Sequence, residues 1–325
     1  MYNGKTILIT GGTGSFGQNF VKFLLRNFKP KKIIIFSRDE LKQFRMQQEL
    51  SEHKTPIRFF LGDVRDLARL RLAFQDVDIV VHAAALKQVP ALEYNPFEAI
   101  QTNVLGTQNV LMAALERKVA KTLLISTDKA AAPVNLYGAT KMCAEKIMVS
   151  GNVYAKDHDA SFSAVRYGNV IGSRGSIVET ILNKTDDSPL TITDPDMTRF
   201  WITLDQCFDL VTYALENMIG GEIFIPKVPS MRIPDLFKAL APDRPVKVVG
   251  IRPGEKVHEI LMTSEEASRA YDLGDYYAVI PHLLDNALRK KYSSKKPLGR
   301  KFIYSSDSNK KWLTQKEIKK LSALH

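Results

Sequence analysis

Six apolar, β-branched runs punctuate the first half of the chain: Lys5–Thr10, Lys32–Ser37, Ile57–Leu61, Asp78–Ala83, Thr122–Thr127 and Ser161–Tyr167. Between them the apolar positions take helical spacing, at Ser15–Asn27, Glu40–Glu52, Asp66–Phe74, Pro96–Arg117 and Leu136–Val149. Strand alternating with helix predicts parallel strands joined by crossover helices. Ile33-Ile34-Ile35-Phe36 is apolar without a break, as in a strand covered on both faces. The fold class is therefore α/β, a doubly wound parallel (Rossmann) sheet. Such sheets bind ligands at the carboxyl ends of the strands, where the winding reverses.

After Tyr167 the rhythm changes. Gly168, Gly172, Gly175, Pro189, Pro195, Pro226 and Pro229 break the pattern, and helical spacing survives at Leu204–Met218 and Ile233–Leu240. This predicts a smaller C-terminal α/β substrate-binding domain. The expected division is a dinucleotide-binding domain over residues 1–167, with about 204–226 returning to it. Residues 168–288 form the second domain and 289–325 a basic tail.

The tail dominates the charge. The chain carries 46 Lys and Arg against 35 Asp and Glu, for a net +11. Twelve of those basic residues and two of the acidic ones lie in Arg289–Lys320, so the remainder is close to neutral. A uniformly basic nucleic-acid binder is excluded. The tail reads as a solvated, poorly ordered segment. No apolar run reaches the ~20 residues that span a bilayer, and the Thr6–Thr10 run is too short for a secretion signal. Two cysteines, Cys143 and Cys207, have no metal-site spacing and suit a reducing compartment. A soluble, cytoplasmic protein without a metal is expected.

Thr10-Gly11-Gly12-Thr13-Gly14-Ser15-Phe16-Gly17 follows a strand and opens a helix. Gly11, Gly14 and Gly17 permit a tight turn and close approach of a pyrophosphate to free N–H groups. Thr13, Ser15 and Phe16 belong to the same cradle. Ser37 and Arg38 end the second strand, where an NAD-specific site places a carboxylate for the ribose 2′-hydroxyl. A guanidinium there suits a 2′-phosphate, which favours NADP over NAD. Asp39 follows immediately and has a second reading as a helix N-cap. Asp63 and Val64 end the third strand, with Asp63 set to reach the adenine amine. Ala83 and Ala84 end the fourth.

Thr127, Asp128 and Lys129 end the fifth strand, and Tyr137 and Lys141 follow on one helical face. An ammonium beside a phenol favours the phenolate. A phenolate near a nicotinamide takes a proton from an alcohol as hydride leaves its carbon. Thr127 donates to the same oxygen.

The glycine cradle, Thr127 and the Tyr137/Lys141 pair resemble the extended short-chain dehydrogenase/reductases. Ser126–Ala130, Asn135–Lys141, Arg166–Val170, Gly172–Ser176, Met197–Trp201 and Arg252–Lys256 bring the resemblance closer, to the configuration-inverting UDP-N-acetylglucosamine 4,6-dehydratases of pseudaminic acid biosynthesis. The resemblance implies a UDP-sugar substrate, a recycled NADP and a homo-oligomer. Tyr137 would deprotonate the 4-hydroxyl, a neutral Lys129 would remove the carbon-5 proton, and a protonated Asp128 would release the 6-hydroxyl. Asn169, Arg199 and Arg252 would meet the diphosphate and Glu255 the uridine ribose. Lys87 and Arg174 complete the expected substrate contacts. Rival readings are release of the 5,6-ene, the retained product, a 4-epimerase or ketoreductase, and a non-catalytic NADP sensor.

Overall fold

A computed structural model describes residues 1–155, 159–172, 177–184, 186, 188–282 and 286–322. Its centre is a nine-stranded sheet. The strands β1 (Thr6–Thr10), β2 (Lys32–Ser37), β3 (Ile57–Leu61), β4 (Ile79–His82), β5 (Lys121–Ile125) and β6 (Ser161–Val165) follow the expected runs. Across the sheet they lie in the order β6-β5-β4-β1-β2-β3, all parallel. The chain winds outward from β1 to β3, then returns to β4, so the reversal falls between β1 and β4. There Thr10 faces His82 in register. Beyond β6 the sheet continues with Ile223–Pro226, parallel to β6, then with antiparallel Tyr276–Val279 and Ala270–Asp272.

β1 is buried along its whole length, and the helices on both faces seal the sheet. A second, smaller core of Ile192, Trp201, Met231, Leu236, Phe237 and Ile318 holds the C-terminal lobe. That lobe carries a three-stranded sheet of Asn169–Val170, Thr198–Ile202 and Ser230–Arg232. Ile260–Met262 pairs with Tyr304–Ser305.

Three expectations need correction. The helix expected over Pro96–Arg117 is three pieces: Pro96–Ala99, a π-helical Ile100–Leu105 and Gly106–Glu116. The wide turn carries Asn103, whose Oδ1 accepts from the Leu86 N–H (2.8 Å) and whose Nδ2 donates to the Leu86 carbonyl (2.9 Å) and to Thr140 Oγ1 (3.0 Å). Buried polar partners outside the helix outcompete the regular ladder. The fifth strand's regular pairing ends at Ile125, two residues short of the expected Thr127, although the Ser126 and Asp128 N–H groups still reach the Val165 and Tyr167 carbonyls. Asp128–Ala130 then forms a 3-10 turn.

The tail is also folded where it is described, rather than a solvated, poorly ordered segment. Tyr292, Tyr304, Ser306 and Ile318 are buried. Helix Gln315–Ser322 packs on helix Ile233–Leu240. Tyr304 Oη accepts from the Val228 N–H and donates to its carbonyl. The lysines stay outside, except for half-buried Lys291, which pairs with buried Glu222 at 2.9 Å. Composition recorded the charged face of this segment and missed its apolar one. Cys143 and Cys207 are free. Among the described residues no helix is long and apolar enough to cross a membrane, and no cluster has metal-ligand character.

Candidate active site

At the end of β1 the chain turns through Gly11 at φ +66°, where a Cβ would stand 2.9 Å from Ala84 Cα. A Cβ on Gly17 would stand 2.6 Å from the Gly12 backbone. Glycine thus closes the helix Ser15–Asn27 onto the strand. Gly14 is the N-cap of that helix and brings no side chain to cap the first turn. The cradle fits a pyrophosphate on chemical grounds: it presents backbone N–H groups and the positive end of a 13-residue helix. Thr13 is buried in the turn. Ser15 opens the helix, and the Phe16 ring stacks on Phe20 at 5.3 Å, leaving its backbone for the cradle.

The neighbouring strands end at the same edge. Ser37 is buried and its Oγ accepts from Gln43 Nε2 at 3.0 Å. Arg38 is exposed, with Nη1 3.5 Å from Asp63 Oδ2. Asp39 caps the next helix, accepting from the Lys42 N–H at 2.9 Å. Asp63 lies between Arg65 and Arg38, whose guanidinium groups outweigh its partial burial and hold its carboxyl below the usual range. Val64 packs beneath Gly106. Ala83 and Ala84 hydrogen-bond back to Thr10. His82 is a buried strand-end residue held between Thr10 Oγ1 (2.6 Å) and Thr107 Oγ1 (3.0 Å).

The chemical groups gather at the end of β5. Thr127 Oγ1 donates to Asp128 Oδ1 at 2.8 Å, and Lys129 Nζ donates to the same oxygen at 3.1 Å. Asp128 is almost fully buried, and its Oδ2 is buried without a hydrogen-bond partner. The helix Leu136–Tyr154 brings up Tyr137 and Lys141. Asn135 caps it by accepting from the Gly138 N–H at 2.8 Å. Gly138 lets it approach, since a Cβ there would lie 2.2 Å from the Lys129 carbonyl oxygen. Burial pushes the Tyr137 phenol up to about 12, although Lys129 and a Thr127 hydrogen bond oppose the shift. Burial lowers Lys141 to about 8, with Glu145 opposing.

Two electrostatic expectations are corrected here. The ammonium acting on Tyr137 is that of Lys129. Lys141 instead donates to the Ile125 carbonyl at 2.9 Å. Nor does burial by itself free the Lys129 amine. Burial disfavours its charge, but Asp128 and Glu259 outweigh burial and hold the ammonium well above its ordinary range.

The expected substrate residues are more dispersed. Lys87 is exposed beyond β4, and Arg252 is exposed in its loop. Asn169 presents a buried Oδ1 without a hydrogen-bond partner. Arg174 lies outside the described residues. Arg199 is buried and turned onto backbone, with Nη1 on the Thr198 and Val257 carbonyls and Nη2 on that of Lys256. Glu255 Oε1 stands 3.8 Å from Arg199, and Glu255 Oε2 accepts from the Arg252 N–H at 3.3 Å.

Several site residues had no role in the sequence reading, although Ser126, Asn135, Arg166 and Lys256 lay in its motifs. Glu259 Oε1 lies 3.2 Å from Lys129 Nζ. Asn135 Nδ2 donates to the Gly254 carbonyl at 2.7 Å, and Lys256 Nζ to that of Ala131 at 2.7 Å. These bonds fasten the Arg252–Lys256 loop to the chemical groups. Beneath them Arg166 is fully buried between Glu145 and Glu266, and Ser126 Oγ donates to Glu145 at 2.6 Å. The Asn-before-helix signal at Asn135 was readable. Glu259 offered none, because its partner lies 130 positions away.

The family profile described as "Polysaccharide biosynthesis protein" matches residues 7–281. Over 326 residues the chain is 50% identical to the UDP-N-acetylglucosamine 4,6-dehydratase (inverting) of Campylobacter jejuni subsp. jejuni serotype O:23/36, covering 98% of this chain and 97% of that one. It is 46% identical over 287 residues to a protein of Rickettsia bellii named UDP-glucose 4-epimerase, covering 86% and 84%. The structure of Pen from Bacillus thuringiensis superposes with a TM-score of 0.89 at 35% identity, covering 100% and 99%. With its Rossmann sheet, its glycine cradle and its Tyr137/Lys141 helix, the chain belongs to the polysaccharide biosynthesis family of short-chain dehydrogenase/reductase proteins.

Proposed function

We propose that this protein is an inverting UDP-N-acetylglucosamine 4,6-dehydratase that recycles NADP, giving UDP-2-acetamido-2,6-dideoxy-L-arabino-hexos-4-ulose. A cytoplasmic location and a homo-oligomeric assembly are part of the proposal. The observation that carries it is the Asp128–Lys129 contact of 3.1 Å, buried at the end of β5 beside Tyr137. Oxidation alone needs only the tyrosine and lysine. Loss of water from carbons 5 and 6 needs an acid and a base together.

The bound dinucleotide supplies hydride acceptance at carbon 4 and hydride return at carbon 6. Tyr137 takes the proton of the 4-hydroxyl, and Thr127 holds the phenol. The resulting ketone acidifies the proton on carbon 5. Asp128 and Lys129 rest as an ion pair. Transfer of one proton from Nζ to Oδ1 converts the pair to a neutral base and a neutral acid. Lys129 then removes the carbon-5 proton, and Asp128 gives its proton to the departing 6-hydroxyl, which leaves as water. Reprotonation of carbon 5 from the opposite face inverts it. Asn169, Arg174, Arg199 and Arg252 are proposed at the diphosphate, Glu255 at the ribose and Lys87 near the sugar. Arg199 acts there through the 256–257 backbone that it pins.

A 4-epimerase is the second reading, favoured by the name of the Rickettsia relative. Proton NMR in D₂O with UDP-N-acetylglucosamine separates the two. A carbon-6 methyl signal with deuterium at carbon 5 supports dehydration, and the ring couplings report inversion. A changed sugar that keeps its 6-hydroxyl selects the epimerase, and vinyl protons select release of the 5,6-ene.

A further inference from the structure

Glu259 has no assigned role, yet it is the second carboxylate on Lys129. Its side chain is 4% exposed, and Oε1 lies 3.2 Å from Lys129 Nζ and 3.8 Å from Arg199 Nε. Its Oε2 is buried with no hydrogen-bond partner, like Asp128 Oδ2. Two buried carboxylates, each with one oxygen on the ammonium and one orphan oxygen, therefore flank Lys129. Carboxylates this deep are retained where a charge needs them. The backbone of Glu259 is fixed from behind by the C-terminal segment. Its N–H donates to Ser306 Oγ at 2.9 Å, and its carbonyl accepts from the Ser306 N–H at 2.8 Å. Ser306 in turn shares a 2.6 Å hydrogen bond with Thr198 Oγ1, next to Arg199.

We infer that Glu259 is a positioning residue: it aims the Lys129 amine and strengthens it as a base, and Ser306 makes the C-terminal segment a structural part of the active site. The inference rests on the dehydratase reading for its catalytic consequence. As the C5–H bond breaks, the proton passes to Nζ and the electron pair becomes the C5–C6 double bond. The C6–O bond breaks at the same time, and the oxygen leaves as water on the Asp128 proton. Positive charge thus develops on Nζ, 3.2 Å from Glu259 Oε1, which stabilises it. The other charged or titratable groups acting around Lys129 are Asp128 on its own turn, Tyr137 on the helix, Arg199 on its strand and Lys256 on the loop. Arg199 and Lys256 oppose the ammonium, so among the described residues Asp128 and Glu259 hold it.

The test measures the free-amine fraction of Lys129 directly. The full-length protein is acylated with acetic anhydride at pH 8, and modification at Lys129 is followed by peptide mass spectrometry against the exposed lysines. Loss of one close opposite charge lowers an amine's pKa by about 1–3 units. Glu259→Gln is therefore expected to raise the Lys129 rate by about tenfold or more, with the exposed lysines unchanged. Glu259→Asp should restore most of the protection. In the NMR assay Glu259→Gln should lose turnover although its amine is freer, a split that a merely structural loss does not produce. An unchanged acylation rate in a folded Glu259→Gln protein overturns the inference. Should that variant fail to fold, Ser306→Ala must raise the Lys129 rate in the same direction by a smaller factor, and no rise overturns it. Labelling needs no substrate. A wild-type protein that dehydrates nothing would sink the function reading while the labelling still decides the Glu259 coupling.

Discussion

The glycine cradle and the chemical site lie on the same edge of the same sheet and are built by opposite means. The cradle is one contiguous stretch, Thr10–Gly17, and works through backbone: a positive φ, a bare helix end and absent side chains. The chemical site draws on β5, the helix Leu136–Tyr154, the strand Thr198–Ile202, the 252–259 loop and Ser306. It works through buried charge, with Asp128, Lys129, Glu259 and Arg199 packed together. Backbone recognition tolerates change outside its few glycines. A charge cluster fails when any member goes, because the remainder is left buried and unpaired.

The harshest test of that contrast removes one charge without changing shape. Asp128→Asn keeps the volume but cannot accept the Lys129 proton or pass one on. General acid catalysis contributes about 10²–10⁴-fold, so turnover should fall by at least about 100-fold. Cofactor affinity, measured by fluorescence titration, should stay within a few-fold, since the cradle does not include Asp128. Loss of cofactor binding in parallel would show that the two sites are not separable. Gly138 blurs the contrast, being a backbone device inside the charge site. A Cβ there meets the Lys129 carbonyl oxygen at 2.2 Å, so the helix or the turn must move. Gly138→Ala should cost about 1–3 kcal/mol in urea unfolding and should lower turnover as well. Normal turnover with lowered stability would mean that the turn absorbs the shift without moving Lys129.

Legibility follows the same division. β1–β6 and the cradle were readable because their signals are local: unbroken apolar runs and glycines at fixed offsets. Thr127, Asp128, Lys129, Tyr137 and Lys141 were readable because they follow one strand within fifteen residues. Glu259 was not, since a lone glutamate in a Pro- and Gly-rich loop looks like any solvated charge. Asn103 hid inside a helical pattern because a π turn leaves the apolar spacing almost intact. The tail misled for a related reason: its twelve basic residues outnumber the few apolar anchors that fold it.

His82 sits at the seam between the two sites, opposite Thr10 and bonded to Thr107 on the helix Gly106–Glu116. Burial lowers its pKa to about 3, and the Lys141 charge adds to the shift. The folded ring stays neutral while the unfolded ring titrates near 6.5. Above that pH the difference has no effect. Below it the unfolded state binds the extra proton, so stability falls as the pH falls, until the folded ring titrates near 3. The contribution at pH 5.5 is a loss of about 1.4 kcal/mol. Urea midpoints at pH 8 and 5.5 should therefore differ less in His82→Gln than in the wild type. An equal pH dependence in both would mean that other groups carry the acid sensitivity.

The smallest effect is expected beside the cradle, at a side chain of the neighbouring strand tip. Arg38 is 50% exposed, and its only close charged partner among the described residues is Asp63 at 3.5 Å. Asp39, the carboxylate that would favour a free ribose, is committed to the Lys42 N–H and ammonium. An exposed cation at the strand tip is what supports the NADP proposal. An exposed ion pair is worth about 0–1 kcal/mol, so Arg38→Ala should weaken NADP by about fivefold at most and leave NAD almost unchanged. Added salt should shrink the preference in the wild type and not in the variant. If the NADP-to-NAD ratio does not move, the cradle selects its cofactor through backbone alone, and its contrast with the charge-built chemical site becomes complete. If the ratio moves by far more than fivefold, Arg38 is held by the bound phosphate in a desolvated pocket. The two ends of the sheet edge would then share one design.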